Sequence, residues 1–456
     1  MVNEKAEKSG LPENWQQLTP SQKRRYRLDK FMAAENVHFV SERAKQNYRT
    51  RAQRLVDVYN VQEPDRVPVI LQLSDIALSA AGIDGATAMR EYEKTVQACN
   101  AFNENYAEEL ENYAGPGAFP SKVMELLDYK LYAWPGHGIP ESTTGMQYVE
   151  GEYMTADEYD DLILDPSDFW MRKYLPRVFG TLAPFHLLTP LTDIQENVHI
   201  GNFGVLSNPD MIDSLLKLVE VGKEYQRINA ILGPQRAAGA AHGFPMAATT
   251  FAKAPFDVLG DTLRGTTGIM KDMFRRPDKV LKAMDVIADL MIATVKNSPR
   301  YKDILMIGYP LHKGADGWMS QKQFDTFYWP PLKKVMDAFI EEGFMQRLFA
   351  EGGYESRLDK VDQFSRGDVL WYFDKTDMAL AKKHLGKNCC IMGNVPSSLL
   401  MTGTPEAVKE HCRKLIETCG EGGGYILSPG AVGTSVKIDN LRAMIDAAKE
   451  YGVYSR

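Results

Sequence analysis

The chain reads as an α/β protein built on a (β/α)8 TIM-type barrel, and two observations carry that reading. Short apolar runs recur in its C-terminal half, at "DILMIGY" (303–309), "QRLFAE" (346–351), "DVLWYFD" (368–374), "CCIMGN" (389–394) and "GYILSP" (424–429), with a helix-like segment between each and the next. Near-continuous apolar runs mark strands buried on both faces, and their alternation with amphipathic helices calls for parallel βαβ units. No Gly-rich phosphate loop follows the first strand, which favours a barrel over an open doubly wound sheet.

In chain order, residues 1–60 form a helical N-terminal extension and residues 61–456 the barrel. The stretch "SQKRRYRLDKFMAAENVHFVSERAKQNYRTRAQRLVDVYN" is helical in composition and locally basic. It reads as a solvated arm packed on the body or on a second subunit, the alternative being an arm for a partner or an anionic surface. "DRVPVILQL" (65–73) is the first buried strand, and residues 115–168, rich in Gly, Pro, Tyr and acids, form an elaborated insertion with short strands in "YKLYAWPG" and "MQYVEGEYM". Ser320 with Gln323 resembles a capping box, and Pro330–Pro331 break or kink the segment that follows. Thr404 and Pro405 open a helix with the stripe Val408, Cys412, Leu415, Ile416 and Cys419, and the closing helix carries Leu441, Met444, Ile445 and Ala448 on one face.

Composition narrows the function classes. A chain of 456 residues that is 44% hydrophobic can bury one large core or two ordinary ones, as an enzyme does. A net charge of −7 speaks against a general nucleic-acid binder. Five cysteines, scattered apart from Cys389 and Cys390, make no disulfide framework. No apolar run approaches a membrane span, and "MVNEKAEKSGLPENW" lacks the apolar segment of a secretory signal, so the expectation is a soluble cytoplasmic protein.

In such a barrel the active site is assembled from the loops that follow the strands. Those positions hold His312, Lys313 and Asp316 in "PLHKGADGWMS", Glu351 and Tyr354 in "AEGGYES", Asp374 and Asp377 in "YFDKTDMA", Asn394 in "GNVP" and Ser428 in "LSPGAVG". Glu351 directly precedes Gly352 and Gly353, which let a backbone or ligand approach closely. Each residue has a structural reading beside the functional one: Glu351 as the ion-pair partner of Arg357 or Lys313, His312 as a loop hydrogen bonder, Asp377 as a helix cap. His242, in "GAAHGFPMA", is a further ligand-facing candidate, against a tight structural turn. Cys412 and Cys419 lie on a helix stripe and read as core.

The stretch "GNVPSSLLMTGTPEAVKEHCRKLIETCGEGGGYILSPG", with "DNLRAMIDAAKEYG" behind it and "DRVPV" near the start, resembles the uroporphyrinogen decarboxylase superfamily over roughly Asp65 to Gly452. The resemblance implies a (β/α)8 barrel of one of two kinds: a cofactor-independent porphyrinogen decarboxylase, or a methyltransferase moving methyl groups between a corrinoid and a thiol or other carrier. Decarboxylases of the family place an arginine-bearing segment after the first strand, whereas no Arg or Lys occurs here between Val67 and Met89. They also carry a histidine after the last strand, where this chain has Gly430, Ala431 and Val432. The family's thiol-activating methyltransferases bind zinc through a His-x-Cys pair and a later Cys, and the corresponding positions here are Phe349, Glu351 and Ala431. No conventional zinc–thiolate site is therefore expected. Glu351, in the place of a metal-binding cysteine, is a candidate acid/base, substrate anchor or hard-metal ligand.

The expected function is methyl transfer or demethylation of a small, for instance methoxylated, substrate, linked to a corrinoid (cobalamin) that binds at the barrel mouth or arrives on a partner protein. Glu351 and His312 would be catalytic, and Lys313, Asp316, Tyr354, Asp374, Asn394 and His242 would contact substrate. The alternatives are a decarboxylase or lyase of a small acid and a non-catalytic ligand-binding barrel. The family resemblance and the arm also lead us to expect a homodimer.

Overall fold

Six parallel strands lie side by side in chain order: β1 Thr249–Phe251, β2 Met306–Leu311, β3 Met345–Ala350, β4 Val369–Phe373, β5 Cys390–Val395 and β6 Tyr425–Pro429. They belong to a computed structural model that describes residues 10–117, 119–190, 200–431 and 436–454. Alternate residues of a strand face opposite sides, and here they sort into two apolar clusters. Met306, Met345, Leu370, Tyr372, Cys390, Met392 and Ile426 meet inside the barrel. Ile307, Leu348, Trp371, Ile391 and Leu427 face outward into the main core.

The expected first strand is reduced to one parallel bridge. Ile70 N donates to Leu427 O and Leu427 N to Pro68 O, both at 3.0 Å, which sets residues 68–70 beside β6 as a seventh stave. Pro68 has no N–H with which to extend the ladder. At the eighth place Asn112 bridges Val69 O (3.2 Å) and Leu71 N (3.0 Å) through its side chain. No backbone ladder joins that stretch to β1 among the described residues, so hydrogen bonding does not close the ring there.

The N-terminal arm closes the other end of the barrel. Its helices, α1 Pro20–Ala33 and α2 Glu42–Tyr59, place Leu28, Val58 and Tyr59 against Met306, Met345, Leu370 and Cys390. Arg24 and Arg27 of α1 face protein, while Arg25 is exposed: Arg27 donates to the carbonyls of Tyr301 (3.0 Å), Ile304 (2.7 Å) and Glu342 (3.1 Å), and Arg24 pairs with Asp368 at 2.7 Å. The local positive charge thus satisfies loop carbonyls at the strand starts.

Five helices cover the outer face: α3 Pro277–Lys296, α4 Trp329–Ile340, α5 Met378–Leu385, α6 Pro405–Cys419 and α7 Ile438–Tyr451. Ser320 and Gln323 form the expected capping box, and Pro330 and Pro331 fall at the start of α4, directly after a wider helical turn over Phe324–Tyr328. Thr404 caps α6, whose Val408, Cys412, Ile416 and Cys419 are buried. In the insertion, Tyr132–Pro135 pairs with Gly138–Ile139 and Gln147–Tyr148, and Tyr153 N and Met154 N both donate to Leu263 O at 2.8 Å. The insertion is thereby fastened to the loop that follows β1. Among the described residues no helix is long and apolar enough to cross a membrane.

Candidate active site

Two consecutive strand ends build the centre of the site. After β1 the chain passes Lys253 and enters a short helical run in which Asp257 and Asp261 stand four residues apart, on one face. After β2 come His312 and Lys313. Asp257 is fully buried and holds the turn together: Oδ2 accepts from His312 N (3.0 Å) and the Tyr328 hydroxyl (2.8 Å), and Oδ1 from Lys313 N (3.0 Å).

Asp261 gathers the charges. Its Oδ2 lies 2.6 Å from His312 Nδ1 and 2.8 Å from Lys253 Nζ, and its Oδ1 lies 3.0 Å from Lys313 Nζ. Lys313 Nζ also donates to Thr266 Oγ1 at 2.9 Å. Gly260 makes room for this lysine, since a Cβ there would stand 2.7 Å from its Cδ and Cε. A carboxylate only accepts, so His312 Nδ1 carries a hydrogen and the ring turns Nε2 outward. That Nε2 is 3.9 Å from Glu351 Oε1, the carboxylate at the end of β3.

Burial opposes ionisation of Asp261, but the His312 hydrogen bond and the two lysines outweigh it and hold its carboxyl well below the usual range. The same hydrogen bond raises the His312 pKa above 6.5, against a smaller opposing effect of burial. Burial and the neighbouring Asp261 push the Asp257 carboxyl up. The result is a histidine whose protonated form is favoured by an anion behind it, with Nε2 turned toward Glu351, an arrangement suited to general acid catalysis.

Beneath this mouth lies a cavity of about 290 Å³ with Phe251, Phe349, Tyr372 and Arg347 among its walls. Phe251 stands 73% exposed at its rim.

Glu351 and His312 are brought together, and Glu351 pairs with neither of its suggested structural partners. Arg357 instead donates to Gln321 Oε1, Met319 O and Gly314 O, and Lys313 is held by Asp261. The other expected contacts do not converge on the cavity. Lys313 is spent on Asp261 and Thr266. Asp316 accepts from Ser356 N (3.1 Å) and Oγ (2.7 Å) and faces Arg357 at 3.4 Å, closing a loop. Tyr354 is buried behind the site, its ring beside Trp371. Asp374 accepts from Ala431 N at 3.0 Å, tying the loop after β4 to that after β6, and Asn394 Nδ2 donates to Thr376 O at 2.8 Å. His242 follows the helix that leads into β1, at the opposite end of the barrel, and stacks on Tyr113. Asp377 caps α5 through Leu380 N, and Ser428 Oγ donates to Ile70 O.

Lys253, Asp257, Asp261 and Arg347 were missed. The first three follow "TTF", whose strand is three residues long and carries no apolar run; two aspartates four apart just past it were the available signal. Arg347 sat in plain view between Gln346 and Leu348 as a charge within a buried strand.

The donors of a zinc–thiolate centre are not at this mouth. Phe349 lines the cavity, Ala431 offers no ligand atom, and all five cysteines are buried, with the thiols of Cys389, Cys412 and Cys419 pushed up to about 12 chiefly by burial. Among the described residues no three His, Cys, Asp or Glu side chains group to hold a metal ion. Val432 lies outside the described residues.

Comparison with known proteins agrees with this architecture. A methyltransferase from Methanosarcina mazei aligns over 88% of this chain and 98% of its own, with a TM-score of 0.55 and 14% identity, a likeness of fold. The uroporphyrinogen decarboxylase of Pseudoalteromonas translucida (strain TAC 125) is 23% identical over 219 residues, which is 43% of this chain and 56% of that protein, so the chain spans little more than half of this curated relative. Residues 207–451, more than half of the chain, match the family described as uroporphyrinogen decarboxylase (URO-D). With its parallel strands in chain order, the chain belongs to the uroporphyrinogen decarboxylase family.

Proposed function

We propose that this chain is a methyl-transfer enzyme that demethylates a small oxygen-linked methyl donor together with a corrinoid. The observation that carries the reading is His312, held between Asp261 and Glu351 at the ends of two strands whose residues Gly308, Pro310, Arg347 and Phe349 line an open cavity. The fold shared with a methyltransferase supports it. At about 290 Å³ the cavity suits a small substrate and is too small for a corrin macrocycle, so the corrinoid belongs on a partner facing the mouth and its exposed Phe251. A corrinoid bound there supplies a cobalt nucleophile for the methyl group.

The chain's own residues do the rest. The methyl carbon leaves its oxygen without the bonding pair, and the oxygen, left with both electrons, takes the proton from His312 Nε2. Asp261 stabilises the imidazolium beforehand, and Glu351 orients Nε2 and passes protons from solvent. Help of this kind is worth about 10²–10⁴ in rate.

The test mixes purified protein with reduced cobalamin and methoxylated donors and follows the cobalamin spectrum. Methylation that is lost in His312→Gln supports the reading, and no spectral change with any donor overturns it. A second reading, decarboxylation of a small acid, is favoured by Arg347 in the cavity lining. It predicts carbon dioxide release without cobalamin.

A further inference from the structure

The cavity contains a cation that no described residue neutralises. Arg347 is the third residue of β3, in register with Gly308 on β2 and Leu370 on β4, and its alternation with Met345 and Phe349 puts it on the inner face of the barrel. It is half-buried and makes no hydrogen bond or ion pair with any described residue. Its nearest notable contact is the Tyr372 ring, whose centroid is 5.7 Å from its guanidinium carbon. Other buried arginines each have several partners: Arg27 donates to three carbonyls through Nε and Nη1, Arg264 meets Asp272 and Glu152, and Arg357 meets Gln321 and two carbonyls. Withdrawing a charge from water without a partner is costly, so a guanidinium held this way points to an anion that arrives from outside.

The surroundings specify the rest of that ligand. The cavity lining contains no acidic side chain. Phe251, Phe349 and Tyr372 offer ring faces, and the space exists because residue 308 is glycine: a Cβ there would stand 2.9 Å from the Phe251 ring. Glu351 lies four residues beyond Arg347 on the same strand, about 13 Å along it at roughly 3.3 Å per residue. A small aromatic acid fits within that separation.

We propose that the cavity binds a small aromatic carboxylate, its carboxylate forked on the Arg347 guanidinium, its ring among Phe251, Phe349 and Tyr372, and the far edge of that ring toward His312 and Glu351. Binding of the acid stands on the cavity alone; only the chemistry at the far edge rests on the methyl-transfer reading.

The test is calorimetric titration of the full-length protein, without cobalamin, with benzoate and 4-methoxybenzoate against the neutral isostere benzamide. The acids should bind about 10–100-fold more tightly than the amide, the usual value of a charge-assisted pair. Arg347→Gln should erase that preference while leaving the melting temperature unchanged or higher. Equal affinity for acid and amide, no binding of the acids, or loss of folding in Arg347→Gln would each overturn the proposal, the last by showing a structural cation. Acid binding without methyl transfer refutes the functional reading alone. Methyl transfer from neutral donors with no acid binding refutes this inference alone.

Discussion

His312 and Asp261, 51 residues apart in sequence, share a 2.6 Å hydrogen bond between Nδ1 and Oδ2. The partnership ties the end of one barrel strand to the loop after its neighbour, and it sets both the tautomer and the charge of the imidazole.

The pH profile should report that bond. The folded His312 pKa is raised above 6.5, so the protonated acid persists to higher pH than in a free imidazole and the rate should fall as pH climbs through the raised value. Asp261→Asn removes the stabilising charge and should move the alkaline limb toward lower pH. The linkage has the same sign: a raised folded pKa stabilises fully below 6.5, and the contribution is lost as pH rises through the folded value. Melting curves of wild type and His312→Gln should therefore differ most in mild acid and converge in alkali. A difference that grows with pH would contradict this.

Glu351 is half exposed and its closest cation is His312 Nε2 at 3.9 Å. Glu351→Gln should leave the melting temperature within about 0.5 kcal/mol of wild type in stability while abolishing turnover. The double variant with His312→Gln should lose little more than either single variant, since groups serving one step are not additive. Multiplied losses would separate their roles.

Asp257 should behave in the opposite way. Its buried carboxylate receives two backbone N–H groups and the Tyr328 hydroxyl, so Asp257→Ala strands three donors. We expect a loss of about 3 kcal/mol or more in chemical denaturation, with turnover falling because His312 is released. A stable Asp257→Ala protein would show that solvent replaces the carboxylate.

The arm should prove indispensable to folding. A chain beginning at Val61 lacks Leu28, Val58 and Tyr59, which cover the barrel floor, and Arg27, which satisfies three carbonyls. It should lose its cooperative thermal transition or aggregate, and Arg27→Ala alone should cost about 3 kcal/mol. A soluble, cooperatively folded truncated chain would mark the arm as dispensable.

The strands at 306–311, 345–350, 369–373, 390–395 and 425–429 were legible within a few residues. A strand buried on both faces must be apolar along its length, which neighbouring residues alone reveal. For the same reason Glu351 and His312 stood out, as polar groups just past such runs. β1 was not legible, being three residues long, and Lys253, Asp257 and Asp261 went unread with it. Arg24 and Arg27 looked as solvated as the exposed Arg25 because composition cannot say whether a cation meets water or a row of carbonyls.

Local periodicity therefore determined the element types and the rim on which working residues sit, because both depend on residues adjacent in the chain. Pairing across strands depends on register, and register is decided by packing of the whole sheet. Only the folded barrel sets Thr249 beside Met306, and so carries Asp261 to His312. It likewise turns Arg347 inward opposite Gly308, into a cavity whose lining has no acid to meet it.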